Sequence, residues 1–279
     1  MFSDEESRAG VFVPMLKGYF EEPVHTRRKA ELVAEYVRLF QHVTHHGTYI
    51  DGFAGPQAPE DVQSWAARLV LELEPPWLRH FYLYDADAER YGDLEDLRAA
   101  FPEREIMVEQ GDFNVEVDKL LGSGVIGEKE ATFCLLDQRT FECQWSTVEK
   151  LAHHKRGYKI ELFYFLAHGW MERAVKGTTV HRDTIDRWWG GTNWKQFMQG
   201  YRGERQFRFA ERFVTELGYR FAQPFPIYSA DHQGATMYYM ILASDHPEAP
   251  KFMARAYQEV IKRALPERDP HQTDFLSEL

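Results

Sequence analysis

The chain is poor in cysteine: Cys134 and Cys143 are the two among 279 residues. Cys134 lies inside an apolar run and reads as a core thiol, so a disulfide framework is not expected. No apolar run approaches the roughly 20 residues that a helix needs to cross a bilayer. The first ten residues are acidic and polar, unlike a secretory signal. A cytoplasmic protein is the expectation. An excess of positive charge is missing too. The net charge is −11, which disfavours wholesale adhesion to nucleic acid or to an anionic membrane. The basic clusters at 25–29 and 153–156 read as solvated helix faces. Low-complexity tracts are absent, and with 44% hydrophobic and 28% charged residues the chain has material for a real core.

Several catalytic signatures are missing as well. There is no Gly-x-Ser-x-Gly elbow, and Ser146 reads as the cap of a Ser146-x-x-Glu149 box that starts a helix. No Asp-x-Asp-x-Asp-Gly run marks a cation loop. The pairs His45-His46 and His153-His154 are adjacent rather than spaced along a helix face, and with the two cysteines they give no zinc spacing. No metal is expected.

What is present is organised around Thr48 to Pro56, an apolar strand that stops at a glycine-bearing turn. The following Val62, Trp65, Ala66, Leu69, Val70 and Leu73 have helical spacing. Strand, glycine turn and helix form a ligand crevice at the carboxyl edge of an open α/β sheet. Glycine lets a backbone approach a ligand closely. The turn lacks both the three-glycine dinucleotide pattern and the lysine of a P-loop. It therefore points away from a pyrophosphate and towards a ligand with a cationic part.

Around this stretch the pattern alternates. Arg27 to Val43 is an amphipathic helix with Thr26 as its cap, and further strands are expected at 80–84, 105–109, 131–136 and 159–166. Two more, at 224–228 and 236–243, are separated by a turn too short for a crossover helix, so they form an antiparallel hairpin. The fold class is α/β: a Rossmann-like doubly wound sheet of five parallel strands plus a C-terminal antiparallel hairpin. The expected divisions are an N-terminal extension at 1–25, a core at 26–167 and a helical insertion or cap at 168–218. The hairpin and last helix at 219–265 complete the core, and 266–279 is a tail. The insertion carries Trp188, Trp189 and Trp194 with Arg173, Arg182, Arg187, Arg202, Arg205 and Arg208. A helical cap packed on the sheet is favoured over an aromatic and arginine clamp for a nucleic-acid strand.

The first four strands each end in an acid: Asp51, Asp85 (or Asp87), Asp112 and Asp137. Four carboxylates at one sheet edge make an acidic crevice suited to an ammonium, a sulfonium and a ribose diol. Asp85 is expected to accept from the ribose hydroxyls and Asp112 from an adenine amino group, with Phe113 stacking beside the ring. Asp51 and the backbone of Gly52, Phe53 and Gly55 are expected to hold the amino-acid end. Asp137 and Gln138 are the expected catalytic pair, facing the transferred methyl group and its acceptor.

Parallel strands closed by a hairpin resemble the sheet of class I S-adenosylmethionine-dependent methyltransferases. Individual motifs also resemble the three-Cys-motif partner protein family, TcmP. The matching pieces are Lys29 and Tyr36, the run 49–56, Gly111-Asp112-Phe113-Asn114, and Phe133 to Asp137. The loop from Trp188 to Trp194 and the run 238–247 complete the match. The resemblance implies a methyltransferase-like Rossmann fold and a partner carrying a three-cysteine motif, similar to radical-S-adenosylmethionine enzymes. Two departures stand out: Gln57-Ala58-Pro59 where another glycine is common, and Gln138-Arg139-Thr140 where Pro-x-Gly is common. The expected function is an S-adenosylmethionine-dependent methyltransferase, with nucleic acid and protein as the candidate acceptors. The alternative is a catalytically inactive binding or partner protein that senses S-adenosylmethionine or scaffolds a complex. The two departures favour that alternative.

Overall fold

A computed structural model describes residues 28–57, 62–166, 182–228 and 236–264. The extension at 1–25, Thr26, Arg173, the hairpin turn at 231–234 and the tail from 266 lie outside the described residues. So does the start of the insertion.

Helix α1 (Lys29–Thr44) leads into β1 (Gly47–Asp51). After the glycine turn come a short 3-10 turn (Val62–Ser64) and α2 (Ala66–Leu71). The helix expected to run on from Val62 is broken at Trp65, whose indole N–H donates to the carbonyl of Ala54 at 2.7 Å. Trp65 is extended at φ −102°, ψ 99°, so the contact that ties the segment to the turn also interrupts the helix. The chain continues through β2 (Leu78–Asp85), α3 (Ala88–Ala100), β3 (Glu105–Gln110) and α4 (Phe113–Gly122). Next come β4 (Thr132–Leu136), α5 (Trp145–His153) and β5 (Glu161–Leu166). The insertion holds α6 (Arg182–Trp189), α7 (Trp194–Gln199) and α8 (Arg205–Thr215). β6 (Phe221–Tyr228), β7 (Thr236–Ser244) and α9 (Ala249–Ala264) finish the described chain.

The seven strands form one sheet in the order β3-β2-β1-β4-β5-β7-β6. β1 to β5 are parallel, and β7 runs antiparallel to both β5 and β6. β4 and β5 are buried along their whole length, because helices cover both faces of the sheet. α1, α2, α3 and α9 pack on one face, and α4 to α8 on the other. Pro224 and Pro226 sit in β6, the edge strand, where a missing backbone donor is tolerated.

α5 corrects one sequence expectation. Its N-cap is Gln144 rather than Ser146, and no side chain of its own caps it. The Oδ1 of Asn114, at the start of α4, accepts instead from Gln144 N at 2.8 Å and from Thr147 Oγ1 at 2.7 Å. A long-range acceptor replaces the local capping box.

The insertion packs its tryptophans inward: Trp188, Trp189 and Trp194 are all buried. The Arg212 guanidinium lies 3.8 Å from the Trp145 ring and 4.0 Å from that of Trp189. These indoles are spent on packing, so they form no stacking platform for bases.

Phe133 sits at the centre of the sheet, ringed by Tyr36, Phe40, Tyr49 and Phe163 at centroid distances of 5.7–6.5 Å. Phe133→Ala is expected to lower stability by about 3–5 kcal/mol, read by chemical denaturation. A loss under about 1 kcal/mol would contradict this account of the core.

Candidate functional site

The order of the sheet reverses between β1 and β4, which opens a crevice at their carboxyl ends. A cleft of about 360 Å³ lies there, lined by the first turn, the ends of β2 to β4, the loop after β4, and α6.

Backbone hydrogen bonds pin the first turn on both sides. Gly52 N donates to Leu135 O of β4 at 3.1 Å, and Ala54 N to Tyr84 O of β2 at 2.7 Å. Phe53 N donates to Asp51 Oδ1 and Gly55 N to Asp85 Oδ2, each at 3.1 Å. Every amide from Gly52 to Gly55 is thereby used within the protein. The turn has no N–H left to cradle a phosphate or a carboxylate, and offers carbonyl oxygens alone. The glycines are required by protein contacts as well. A Cβ on Gly52 would meet the Phe113 ring at 2.4 Å, and one on Gly55 would meet Asp85 Oδ2 and Arg90 Cβ at 2.5 Å. The space expected to admit a ligand is filled at these two points by side chains.

The predicted acids divide into different roles. Asp51 is buried and does not line the cleft. Its Oδ2 accepts from the Tyr49 hydroxyl and its Oδ1 from Phe53 N, so it folds back beneath the turn and does not reach out to an amino-acid end. Asp85 lines the cleft. Its Oδ1 accepts from Asp87 N at 2.9 Å and Arg90 Nε at 3.1 Å, while its Oδ2 accepts from Gly55 N. Asp87 caps α3, which leaves Asp85 as the acid of β2. Asp112 caps α4 through Asn114 N, yet still borders the cleft. Phe113 is also at its edge but is 1% exposed. With Gly52, Phe53 and Tyr84 packed around it, it forms a wall rather than an open face for stacking.

Asp137 lines the cleft after β4. Its Oδ2 lies 2.5 Å from Lys29 Nζ, whereas its Oδ1 is buried with no hydrogen-bond partner among the described residues. Gln138 corrects the sequence reading. Its Nε2 donates to Phe165 O at 3.0 Å and its Oε1 accepts from Cys143 N at 2.8 Å. It is fully buried, away from the cleft. Both ends of the amide shape the loop after β4, and neither can orient an acceptor.

Arg90, Arg139 and Arg187 all line the cleft; of the three, sequence reasoning singles out only Arg187, as one of the insertion's arginines. With the acids Asp85, Asp112, Asp137 and Glu142, the crevice is of mixed charge rather than acidic. Arg90 was signalled by its place five residues after Asp85, in the first turns of a helix starting at the cleft. Lys29 is marked in the sequence by the family resemblance alone, because its separation from Asp137 along the chain hides the pairing.

Burial would pull the Lys29 ammonium down, but the charge and hydrogen bond of Asp137 together with the charges of Tyr238 and Asp51 override it and hold the group above its ordinary value. Burial pushes Asp51 up to about 7, against the Phe53 hydrogen bond, and the nearby charge of Asp137 adds to the rise. Among the described residues no group of three or more His, Cys, Asp or Glu is arranged to hold a metal, and no helix is long and apolar enough to cross a membrane.

No protein-family model matches the chain, and neither does any curated protein. Among solved structures it is similar to M. jannaschii TYW2 in complex with AdoMet, at 10% identity and a TM-score of 0.39, covering 75% of this chain and 74% of that one. It is similar to Trm5b from Pyrococcus abyssi at 14% identity and a TM-score of 0.37, covering 77% of this chain and 48% of the other. It is also similar to human methyltransferase-like protein 13 in complex with SAH, at 12% identity and a TM-score of 0.43, covering 91% and 98%. The chain spans about half the length of Trm5b. Likeness at this level carries no argument about the site. The strand order is what identifies the fold. It is a doubly wound, Rossmann-like sheet closed by an antiparallel pair.

Two predictions follow from the geometry. A folded Asp51 near 7 keeps a proton between about pH 4 and 7 that the unfolded chain, with an ordinary carboxyl near 3.8, has lost. The stability linked to that proton is full below this window and is lost as the pH rises through it. Relative to Asp51→Asn, wild type is expected to lose about 2–3 kcal/mol between about pH 5 and pH 8, and a difference that does not change with pH would refute the shift. Gly52→Ala is expected to destabilise by about 1–3 kcal/mol, because the buried Phe113 ring cannot withdraw. An unchanged thermal midpoint would show that it can.

Proposed function

We propose that the cleft binds S-adenosylmethionine and that the protein is a methyltransferase whose acceptor enters beside Asp137. The observation that carries this reading is the acceptor-only character of the first turn together with Asp85 and Asp137. All four turn amides are used internally, so the turn itself offers carbonyl oxygen, beside the Asp85 carboxylate and its Arg90 partner. Such a surface suits a ligand that brings donors and positive charge: an ammonium, a sulfonium and hydroxyls.

The residues fit that ligand. Asp85 Oδ2 accepts a single protein hydrogen bond and retains capacity for a hydroxyl donor. Gly52, Phe53, Gly55, Asp112 and Phe113 form the neighbouring walls. Asp51 supports the turn from below through Phe53 N. Once bound, the cofactor supplies an activated methyl group, so the protein's part is chiefly positioning. Asp137 is the group placed to act on the acceptor. A buried carboxylate oxygen without a partner is destabilising by roughly 1–3 kcal/mol or more, and an acceptor N–H or O–H would relieve it. Lys29 holds the other oxygen and fixes the direction of the carboxylate.

A second reading keeps the pocket and drops the chemistry. The observation favouring it is Gln138: with both ends of its amide bound to backbone, it cannot orient the acceptor beside Asp137. In that case the protein senses S-adenosylmethionine or serves as a partner subunit. The family resemblance implies the same kind of partner, a three-cysteine-motif protein.

Calorimetry with S-adenosylmethionine and S-adenosylhomocysteine is the direct test. Wild type is expected to bind both, and Asp85→Ala to bind about tenfold more weakly or worse. No binding to folded wild type would remove both readings. In a labelled-methyl assay on RNA, DNA and protein extracts, Asp137→Asn is expected to retain cofactor binding and lose transfer by about a hundredfold. Binding with no transfer by wild type would leave the sensor.

A further inference from the structure

The charges in the cleft do not cancel locally once each is matched to its partner. Asp85 is paired with Arg90 at 3.1 Å, and Asp137 with Lys29 at 2.5 Å. Asp112 Oδ1 accepts from both the backbone N and the side-chain Nδ2 of Asn114. Glu142 Oε2 accepts from the backbone N of Arg139 at 2.7 Å, not from its guanidinium. The exposed Asp87, near the mouth, caps α3 and lies 3.8 Å from Arg90. Among the described residues four cleft groups have no oppositely charged partner: the carboxylates of Asp112 and Glu142, and two guanidinium groups. The guanidinium groups of Arg139, in the loop after β4, and Arg187, on α6, make no hydrogen bond or ion pair among the described residues.

Arg139 and Arg187 line one cleft, and the charge of Arg139 adds to the lowering of the Asp87 carboxyl that the backbone hydrogen bond from Arg90 leads. Each guanidinium offers a planar fork of five N–H donors that matches oxyanions. The forks come from two separate elements, the loop after β4 and α6, that line one cleft. A tetrahedral phosphate can present oxygens to both, whereas a planar carboxylate has two oxygens in one plane. The hydroxyls of Thr140 and Thr184, next to these arginines along the same wall, add neutral donors. This donor-rich end contrasts with the acceptor-only turn after β1.

We propose that Arg139 and Arg187 clamp a phosphate group carried by the methyl acceptor, which makes the substrate a phosphate-bearing molecule. The proposal rests on the methyltransferase reading for the word acceptor, and on unpaired charge for the phosphate. The phosphate belongs either to a mononucleotide-sized molecule or to a nucleic-acid strand.

The test measures binding of inorganic phosphate, nucleoside 5′-monophosphates, and single-stranded RNA and DNA oligonucleotides to the full chain. Wild type is compared with the double variant R139A/R187A and with R156A/R255A. The latter removes the same charge at two exposed arginines outside the cleft. At least one probe is expected to bind wild type, to bind R139A/R187A about tenfold or more weakly, and to bind R156A/R255A within about twofold of wild type. Monophosphate binding assigns a small acceptor, and binding of oligonucleotides alone assigns a strand. The proposal is overturned if no probe binds wild type, or if the distant pair weakens binding as much as the cleft pair. It is also overturned if S-adenosylhomocysteine loses as much affinity in R139A/R187A as the probes do, since the arginines would then serve the cofactor's carboxylate. Failure of S-adenosylhomocysteine to bind wild type removes the cofactor reading instead, and the phosphate measurement still stands or falls on its own.

Discussion

The buried ion pair between Lys29 and Asp137 is the contact on which the rest of the site depends. It joins the first residue of α1 to the residue that follows β4, at the point where the strand order reverses. Taking two charges out of water costs several kcal/mol per ion, so such a pair is retained only with close geometry. Here Lys29 Nζ also lies 5.8 Å from the Phe165 ring and 5.5 Å from that of Tyr238. The ammonium is thus held between a carboxylate and aromatic faces. The same pair reaches Asp51, which feels the Asp137 charge and is pushed towards neutrality. Three groups, one on α1 and two at strand ends, share one low-dielectric region.

A second polar network lies deeper in the sheet. Glu161 accepts from the Tyr36 hydroxyl at 2.6 Å and from Ser244 Oγ at 2.8 Å. It thereby ties α1 to the start of β5 and the end of β7. Ser244 and Tyr36 belong to the same resembling motifs as Lys29 and Asp137. Those motifs therefore mark buried polar contacts that fix α1 on the sheet, as well as the cleft itself. A half-satisfied network of this kind destabilises, and a satisfied one specifies a single arrangement.

The cleft has two chemical ends. Around the first turn the backbone donors are exhausted and oxygen acceptors remain; beyond β4 the guanidinium groups of Arg139 and Arg187 make no hydrogen bond or ion pair among the described residues. Local sequence gives little warning of such polarity, because it depends on which partner each acid finds. Asp85 finds Arg90, Asp137 finds Lys29, and Asp112 finds its own helix start. Had those acids stayed free, as the strand-end pattern suggested, the crevice would have been acidic throughout.

Periodicity and turn chemistry alone determined the strands, the five-plus-two division of the sheet and the positions of its carboxyl ends. These are local signals: an all-apolar Phe133 to Leu136 can be read without knowing its neighbours. The same local view placed Asp85, Asp112 and Asp137 at one edge. Tertiary structure decided which of them faces the cleft and what each still has to offer. Asp51 turned under, Gln138 turned into the loop, and α5 took its cap from Asn114. Those outcomes rest on contacts between residues up to 108 positions apart, as between Lys29 and Asp137. Pairing across such distances is set by how the helices pack on the sheet, and a strand-end acid carries no local mark of the partner it will meet.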